Sequence, residues 1–227
     1  MFQEFSILTT LTAEKYGQAK IVELGAGAGN TVFPIMARNR NLFLTVHALD
    51  FSKTAIDLIR QNPDYDGLKI RADVWDLASE SPPEGCEAGT VDVVLMIFVF
   101  SALSPDQWSA AVKNVFRMLK PGGTVLYRDY GRGDLTQVRL KKGRYLMENF
   151  YIRGDGTRVY YFEKDELIKI WSQPAHALEI QDIGVDRRML VNRKKELKMY
   201  RAWIQGVFRK PDILRCAAPP ACEVENA

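Results

Sequence analysis

The stretch from Lys20 to Asn30, KIVELGAGAGN, constrains this chain more than any other. Lys20 to Leu24 is apolar and β-tolerant, and it reads as a short buried strand. Gly25, Gly27 and Gly29 then let the backbone turn sharply and leave room for a ligand against it. Asn30 is a good N-cap for a helix from about Thr31 to Arg38. A helix N-terminus presents free N–H groups and the positive end of a dipole, which favours an anionic group. A dinucleotide fingerprint spaces its glycines G-x-G-x-x-G. Here the third glycine arrives one residue early and Glu23 precedes the set. A glycine-rich turn without a ligand would use the same residues.

Downstream, β-like and helix-like segments alternate. Leu42 to Leu49 reads as a second strand ending at Asp50, 25 residues beyond Gly25. An acidic residue there can hydrogen-bond vicinal ribose hydroxyls, and it can equally cap the helix from Ser52 to Gln61. A third strand, about Leu68 to Ala72, leads to Asp73-Val74-Trp75-Asp76-Leu77. Asp73 and Asp76 compete to accept a hydrogen bond from an adenine amine, with Leu77 covering the ring. Val91 to Phe100 is continuously apolar apart from Asp92, as strands buried on both faces are. Ser104-Pro105-Asp106 opens a helix that ends at Lys120-Pro121-Gly122-Gly123, and strand five, Thr124 to Tyr127, follows. This alternation predicts an α/β fold with a doubly wound, mostly parallel sheet over residues 1–210.

Ligands of open α/β sheets bind beyond the carboxyl ends of the strands, which puts Arg128, Asp129 and Tyr130 at the rim of the site. A local ion pair fixing the loop is the plain alternative. An insertion at about 131–165 follows, basic at Arg132, Arg139, Lys141, Lys142 and Arg144. Asp155-Gly156 is a hairpin turn signal between aromatic-rich strands. Arginines interleaved with aromatics suit RNA, by phosphate contact and base stacking, and an aromatic lid would look alike. Leu178 to Ile183 reads as a strand, Asp186-Arg187-Arg188 and Asn192 to Lys195 as a basic connection, and Lys198 to Phe208 as a last, antiparallel strand. The tail 211–227 is expected to be disordered.

Charge divides along the chain. Residues 1–127 hold 11 Lys and Arg against 14 Asp and Glu, whereas residues 128–210 hold 19 against 11. A near-neutral front and a basic back suggest a cofactor region followed by a polyanion-binding region, with a solvated basic face as the plain alternative. The 227 residues suffice for one large domain. No apolar run reaches the ~18 residues of a membrane span, and the N-terminus lacks a secretory pattern. Cys86, Cys216 and Cys222 are few and unclustered, which fits a reducing compartment and, by default, the cytoplasm. His47 and His176 pair with no cysteine motif, so no metal is expected.

Glu23 with its glycine set resembles the first motif of class I S-adenosylmethionine methyltransferases, a Rossmann-like fold. In them the acidic residue is associated with the methionine end of the cofactor. Asp50-Phe51-Ser52, Gln61-Asn62-Pro63, Ile97 to Ala102, Arg128-Asp129-Tyr130-Gly131, Glu148-Asn149-Phe150-Tyr151, Arg153 to Arg158, Val185 to Arg188 and Val191-Asn192-Arg193 narrow the resemblance. Together they look like the tRNA N3-methylcytidine methyltransferases, and Met199-Tyr200-Arg201 favours the subgroup acting on threonine tRNA. The resemblance implies S-adenosylmethionine as cofactor, with contacts at Gly25, Asp50, Asp76 and Ile97. Glu23, Gly27, Gly29, Asn30, Phe51 and Leu77 complete that site. It implies cytidine 32 of the anticodon loop as substrate, its N3 displacing the methyl group in line. For such a transfer Asp129, at the exit of strand five, is the candidate to stabilise the cationic product or to take a proton from its N4, with Arg128 and Tyr130 holding the nucleotide. Arg139, Lys141, Lys142, Arg153, Arg158, Arg193 and Arg201 are the candidate RNA contacts. tRNA is the expected partner, and a helper protein is compatible with the family. Relatives carry an upstream aromatic and basic segment that this chain, beginning at Met1, is expected to lack. A non-catalytic RNA-binding or scaffold protein, or a small-molecule methyltransferase, would share the same fold.

Overall fold

A strand apolar at nearly every position has to be covered on both sides, and Val91–Ile97 is such a strand. In the computed structural model, which describes residues 5–192 and 196–212, it lies at the centre of a seven-stranded sheet. The first half of the chain forms α1 (Ser6–Leu11), β1 (Ala19–Leu24), α2 (Val32–Ala37), β2 (Leu44–Asp50), α3 (Lys53–Arg60), β3 (Ile70–Val74), β4 (Val91–Ile97) and α4 (Trp108–Met118). The second half forms β5 (Leu119–Tyr130), α5 (Leu135–Val138), β6 (Tyr145–Met147), β7 (Phe150–Ile152), β8 (Arg158–Tyr160), α6 (Lys164–Trp171), β9 (Glu179–Asn192) and β10 (Leu197–Arg209). The sheet order is β3-β2-β1-β4-β5-β10-β9. β1 to β5 are mutually parallel, and β10 runs antiparallel to both β5 and β9. The order reverses between β1 and β4, which opens a crevice at their carboxyl ends.

Each face of the sheet has its own core. Leu8, Val32, Ile35, Ile56 and Ile59 of α1 to α3 pack on Ile21, Val46, Leu95 and Leu126. On the other face Val112, Val115, Leu167 and Trp171 of α4 and α6 pack on Val22, Val94, Tyr127 and Phe208. Each such side chain contributes about 1.5–3 kcal/mol relative to exposure. Two helix ends are closed by side chains. Ser52 Oγ accepts the Ala55 N–H at 3.3 Å and caps α3. Lys210 Nζ donates to the carbonyls of Phe116 (2.8 Å) and Leu119 (2.7 Å), closing the C-terminal turn of α4.

Several boundaries depart from the sequence expectation. Thr31, not Asn30, occupies the N-cap of α2, and its side chain makes no capping bond. β5 begins at Leu119, and residues 120–123 bulge out of register between the pairs Val91–Leu119 and Val93–Thr124. Asp186, Arg187 and Arg188 lie within β9, paired to Trp203, Ala202 and Arg201, and not in a connection. The aromatic hairpin has the expected turn at Asp155-Gly156, where Asp155 Oδ1 accepts the Thr157 N–H at 2.9 Å. A third strand, β6, joins it to make a separate small sheet. Residues 213–227, where a disordered tail is expected, lie outside the described residues, as does Arg193. No described helix is long and apolar enough to cross a membrane.

One buried amide ties the helical layer to the segment after β3. Asn114 of α4 donates to the carbonyls of Leu77 and Ser79, both at 2.8 Å. Asn114→Ala leaves two carbonyls unsatisfied and should lower unfolding free energy by about 1–3 kcal/mol. Urea denaturation measures this, and an unchanged midpoint would show that the tie carries no stability.

Candidate active site

The crevice at the carboxyl ends of β1, β2 and β4 holds a cavity of about 640 Å³. Its floor is the glycine turn. Gly25 has φ +68°, and a Cβ there would lie 2.4 Å from the Val99 side chain, so only glycine fits. Gly27, also at positive φ, faces open space, with no atom within 4 Å of where a Cβ would stand. Asp50 ends β2 and is buried. Its Oδ2 accepts the Gly27 N–H and its Oδ1 the Ser52 N–H, both at 2.9 Å. Phe51, by contrast, is 77% exposed and stands at the cavity edge.

The segment after β3 builds the opposite wall. Asp76 and Leu77 both line the cavity, Asp76 exposed and Leu77 buried into the core. Asp76 Oδ1 accepts the Ala78 N–H at 2.9 Å, which fixes the carboxylate in a tight turn. Asp73 is engaged elsewhere, between His47, Arg60 and Arg71. Trp75 joins the wall, and sequence reasoning passed over it. Its indole N–H bonds the Ser81 carbonyl at 2.9 Å.

At the end of β4 the cavity takes Phe98 and Val99, not Ile97. Ile97 follows Leu95 by two residues and packs with it on the α1–α3 face. Phe98 has φ +57°, a conformation that a bulky residue rarely adopts. Such strain clusters where a site over-determines its backbone. Its ring lies 4.8 Å from Tyr130 and 5.6 Å from Trp203, centroid to centroid.

Glu23 is buried beneath the glycine turn, and its Oε2 has no hydrogen-bond partner among the described residues. Desolvation pushes its pKa up to about 8, the nearby Asp50 charge adds to this, and bonds with Thr31 and Val32 oppose it. Gly29 is buried against Phe33, and Asn30 is exposed at the turn's outer side.

Asp129 departs most from expectation. It has no exposed surface, and its oxygens accept the Ser101 N–H at 2.8 Å and the Tyr130 N–H at 2.9 Å. Strand alternation turns it inward while Arg128 and Tyr130 face the other side. Burial raises its pKa to about 6, against the bonds from Ser101 and Tyr130. It latches the exit of β4 to the exit of β5 and is not among the residues that line the cavity. Arg128 bonds Gln205 and lies over the Trp203 ring at 5.5 Å.

The hairpin closes the cavity. Ile152, Asp155, Gly156, Thr157 and Arg158 line it opposite Asp50 and Phe51. Arg158, expected at a phosphate, instead donates to the Ala102 carbonyl and to Gln107 Oε1, both at 3.0 Å. Arg153 lies over the Tyr130 ring at 4.7 Å, and Arg201 pairs with buried Asp134 at 2.9 Å. Arg139, Lys141 and Lys142 are exposed beyond the hairpin. No described group of three His, Cys, Asp or Glu could hold a metal.

Glu23 links this geometry to stability. A carboxyl whose folded pKa is raised stabilises the fold below its unfolded pKa, near 4.5, and that contribution is lost as pH rises through about 8. Without ligand, the parent should therefore lose stability across that window, by a few kcal/mol at most. Glu23→Gln should flatten the profile. Melting temperatures from pH 5 to 9 test this, and parallel profiles for the two proteins would refute it.

The family profile described as a methyltransferase domain matches residues 22–125. The fission yeast protein named tRNA N(3)-methylcytidine methyltransferase trm140 is 51% identical over 208 residues, 92% of this chain and 67% of that protein. The budding yeast tRNA(Thr) (cytosine(32)-N(3))-methyltransferase is 50% identical over 210 residues. That match takes in 92% of this chain, which spans only 33% of the budding yeast protein. A solved SAM-dependent methyltransferase from Methanosarcina mazei shares the fold at TM-score 0.67 and 20% identity, covering 91% of this chain and 98% of that one. At 51% identity to trm140 over 92% of this chain and 67% of that protein, the chain belongs to the family of tRNA N3-methylcytidine methyltransferases.

Proposed function

We propose that the protein transfers a methyl group from S-adenosylmethionine to N3 of cytidine 32 in the anticodon loop of tRNA, threonine tRNA first. The observation that carries this reading is the joining of two features through Phe98. Its ring lines a cavity suited to the cofactor and packs on the Tyr130 and Arg153 surface outside it. The name of the budding yeast relative supports the position and the tRNA. We place the reaction in the cytoplasm, in line with a buried free thiol at Cys86.

The residues fit the cofactor. Gly27 leaves open space, Glu23 holds an unpartnered oxygen, and Asp50 and Asp76 both line the cavity. In this reading Asp50 binds the ribose, Asp76 accepts from the adenine amine, and Leu77, Val99 and Leu103 exclude water. The bound cofactor supplies an electrophilic methyl group on a sulfonium centre. The chain's part is then to desolvate and orient cytosine, whose neutral N3 already carries a lone pair and needs no prior deprotonation. Phe98 and Tyr130 offer the aromatic faces for that base. Asp129 acts as a positioning residue, holding the backbone of Ser101 and Tyr130 so that these faces stay in place.

Methyl transfer to unmodified threonine tRNA, with the product nucleoside identified by mass, tests the function. N3-methylcytidine at position 32 is expected, and tRNA left unmodified would overturn it. Asp50→Ala should weaken cofactor binding by about tenfold or more, since it removes a ribose acceptor and frees Gly27. Calorimetry reads that, and unchanged affinity would remove Asp50 from the site. Asp129→Asn should lower kcat by about tenfold or more with cofactor affinity kept. The parent's kcat should also fall as pH drops through about 6, where Asp129 protonates, and this acid limb should vanish in the variant. Equal pH profiles would remove Asp129 from the machinery.

A further inference from the structure

One face of the sheet changes character along its length. Where α1 to α3 cover β1, β2 and β4, the side chains on this face are fully buried. Past Leu126, towards the strand ends, Arg128, Tyr130, Trp203 and Gln205 share the same face of β5 and β10 and are all partly exposed. Asp186 and Arg188 of β9 continue it.

Trp203 is the centre of this surface. Three guanidinium groups surround its ring: Arg201 at 5.2 Å, Arg128 at 5.5 Å and Arg188 at 5.9 Å. Each is held by a neighbour, Arg201 by Asp134, Arg128 by Gln205 and Arg188 by Asp186. The ring also meets Phe98, a wall of the cofactor cavity, and Phe98 meets Tyr130 under Arg153. Three guanidinium groups are thus gathered on one indole, with Asp134 beside Arg201 and Asp186 beside Arg188. The arrangement is preorganised for a planar, anionic group. Unpaired nucleotides have that chemistry, with a base to stack and a phosphate for the guanidinium fork.

We propose that Trp203 is the stacking platform for a nucleotide flanking the target base, with Arg128, Arg188 and Arg201 at its phosphates. This rests on the reading of the protein as a tRNA methyltransferase. It adds a second base site, outside the cavity, that would govern which loop sequences are accepted. The continuity from cavity to Phe98 to Trp203 is what makes the occupant the same RNA strand as the target base.

The test uses the full chain and the unmodified anticodon stem-loop of threonine tRNA, with binding followed by anisotropy. Trp203→Phe keeps a π face and should bind within about threefold of the parent. Trp203→Leu keeps an apolar side chain without a π face and should bind about tenfold or more weakly. Its salt slope should match the parent's, because no phosphate contact is lost, and its cofactor affinity should be unchanged. Arg188→Ala should instead reduce the salt slope by about one. Should Trp203→Leu unfold, RNA quenching of indole fluorescence decides the point: it should be present in the parent and reduced in Trp203→Phe. Parent-like RNA affinity in folded Trp203→Leu, or equal quenching in parent and Trp203→Phe, overturns the platform alone. A parent that neither binds the stem-loop nor methylates tRNA overturns the proposed function, and this inference with it.

Discussion

The site depends on one carboxylate. Asp50 receives the Gly27 and Ser52 N–H groups on its two oxygens and so fixes the glycine turn and the start of α3 to the end of β2. Two turns from different parts of the chain thereby meet at a set distance. The close approach of Gly25 to Val99 then ties the same turn to the exit of β4. Asp129 repeats the device one strand further on, between the exits of β4 and β5. The crevice is thus braced by carboxyl groups bonded to backbone, and its polar atoms are placed before any ligand arrives.

The insertion after β5 does more than extend the surface. Its hairpin tip forms one wall of the cavity, anchored by Arg158 to Ala102 and Gln107, while Arg153, at the opposite margin, stacks on Tyr130. Ring contacts of Tyr160 and Phe162 with Trp108, of Phe162 with Phe100 and of Phe150 with Tyr160 seat the hairpin on the core.

Much of the fold was legible because its causes are local. Apolar runs at β1, β2 and β4, the glycine turn, and breakers at Asn62-Pro63 each act within a few residues. Asp50 was legible because strand ends point at the crevice, whereas Asp73 and Asp76 competed on the residues alone and the family resemblance chose Asp76. The hairpin's docking was not, since it depends on which distant carbonyls Arg158 finds. The same arginine spacing would have suited phosphates. Asp129 could have been placed better from alternation alone, because neighbours of Arg128 and Tyr130 in a strand face the opposite side. Trp203 sits in an alternating strand where an inward role looks equally natural, and only the register of β10 against β5 brings it to Phe98.

Glu23 and Asp129 show why acids occupy positions where burial is costly. Both stand one residue inside the end of a central strand, and both pKa values rise because desolvation outweighs the hydrogen bonds received. An amide in the place of Asp129 would avoid the desolvation of a charge. It would also offer one acceptor and one donor to two N–H groups, leaving either Ser101 or Tyr130 facing a donor. A carboxyl oxygen for each N–H is the solution that satisfies both turns at once. The rise is larger at Glu23, where one oxygen is still without a partner among the described residues.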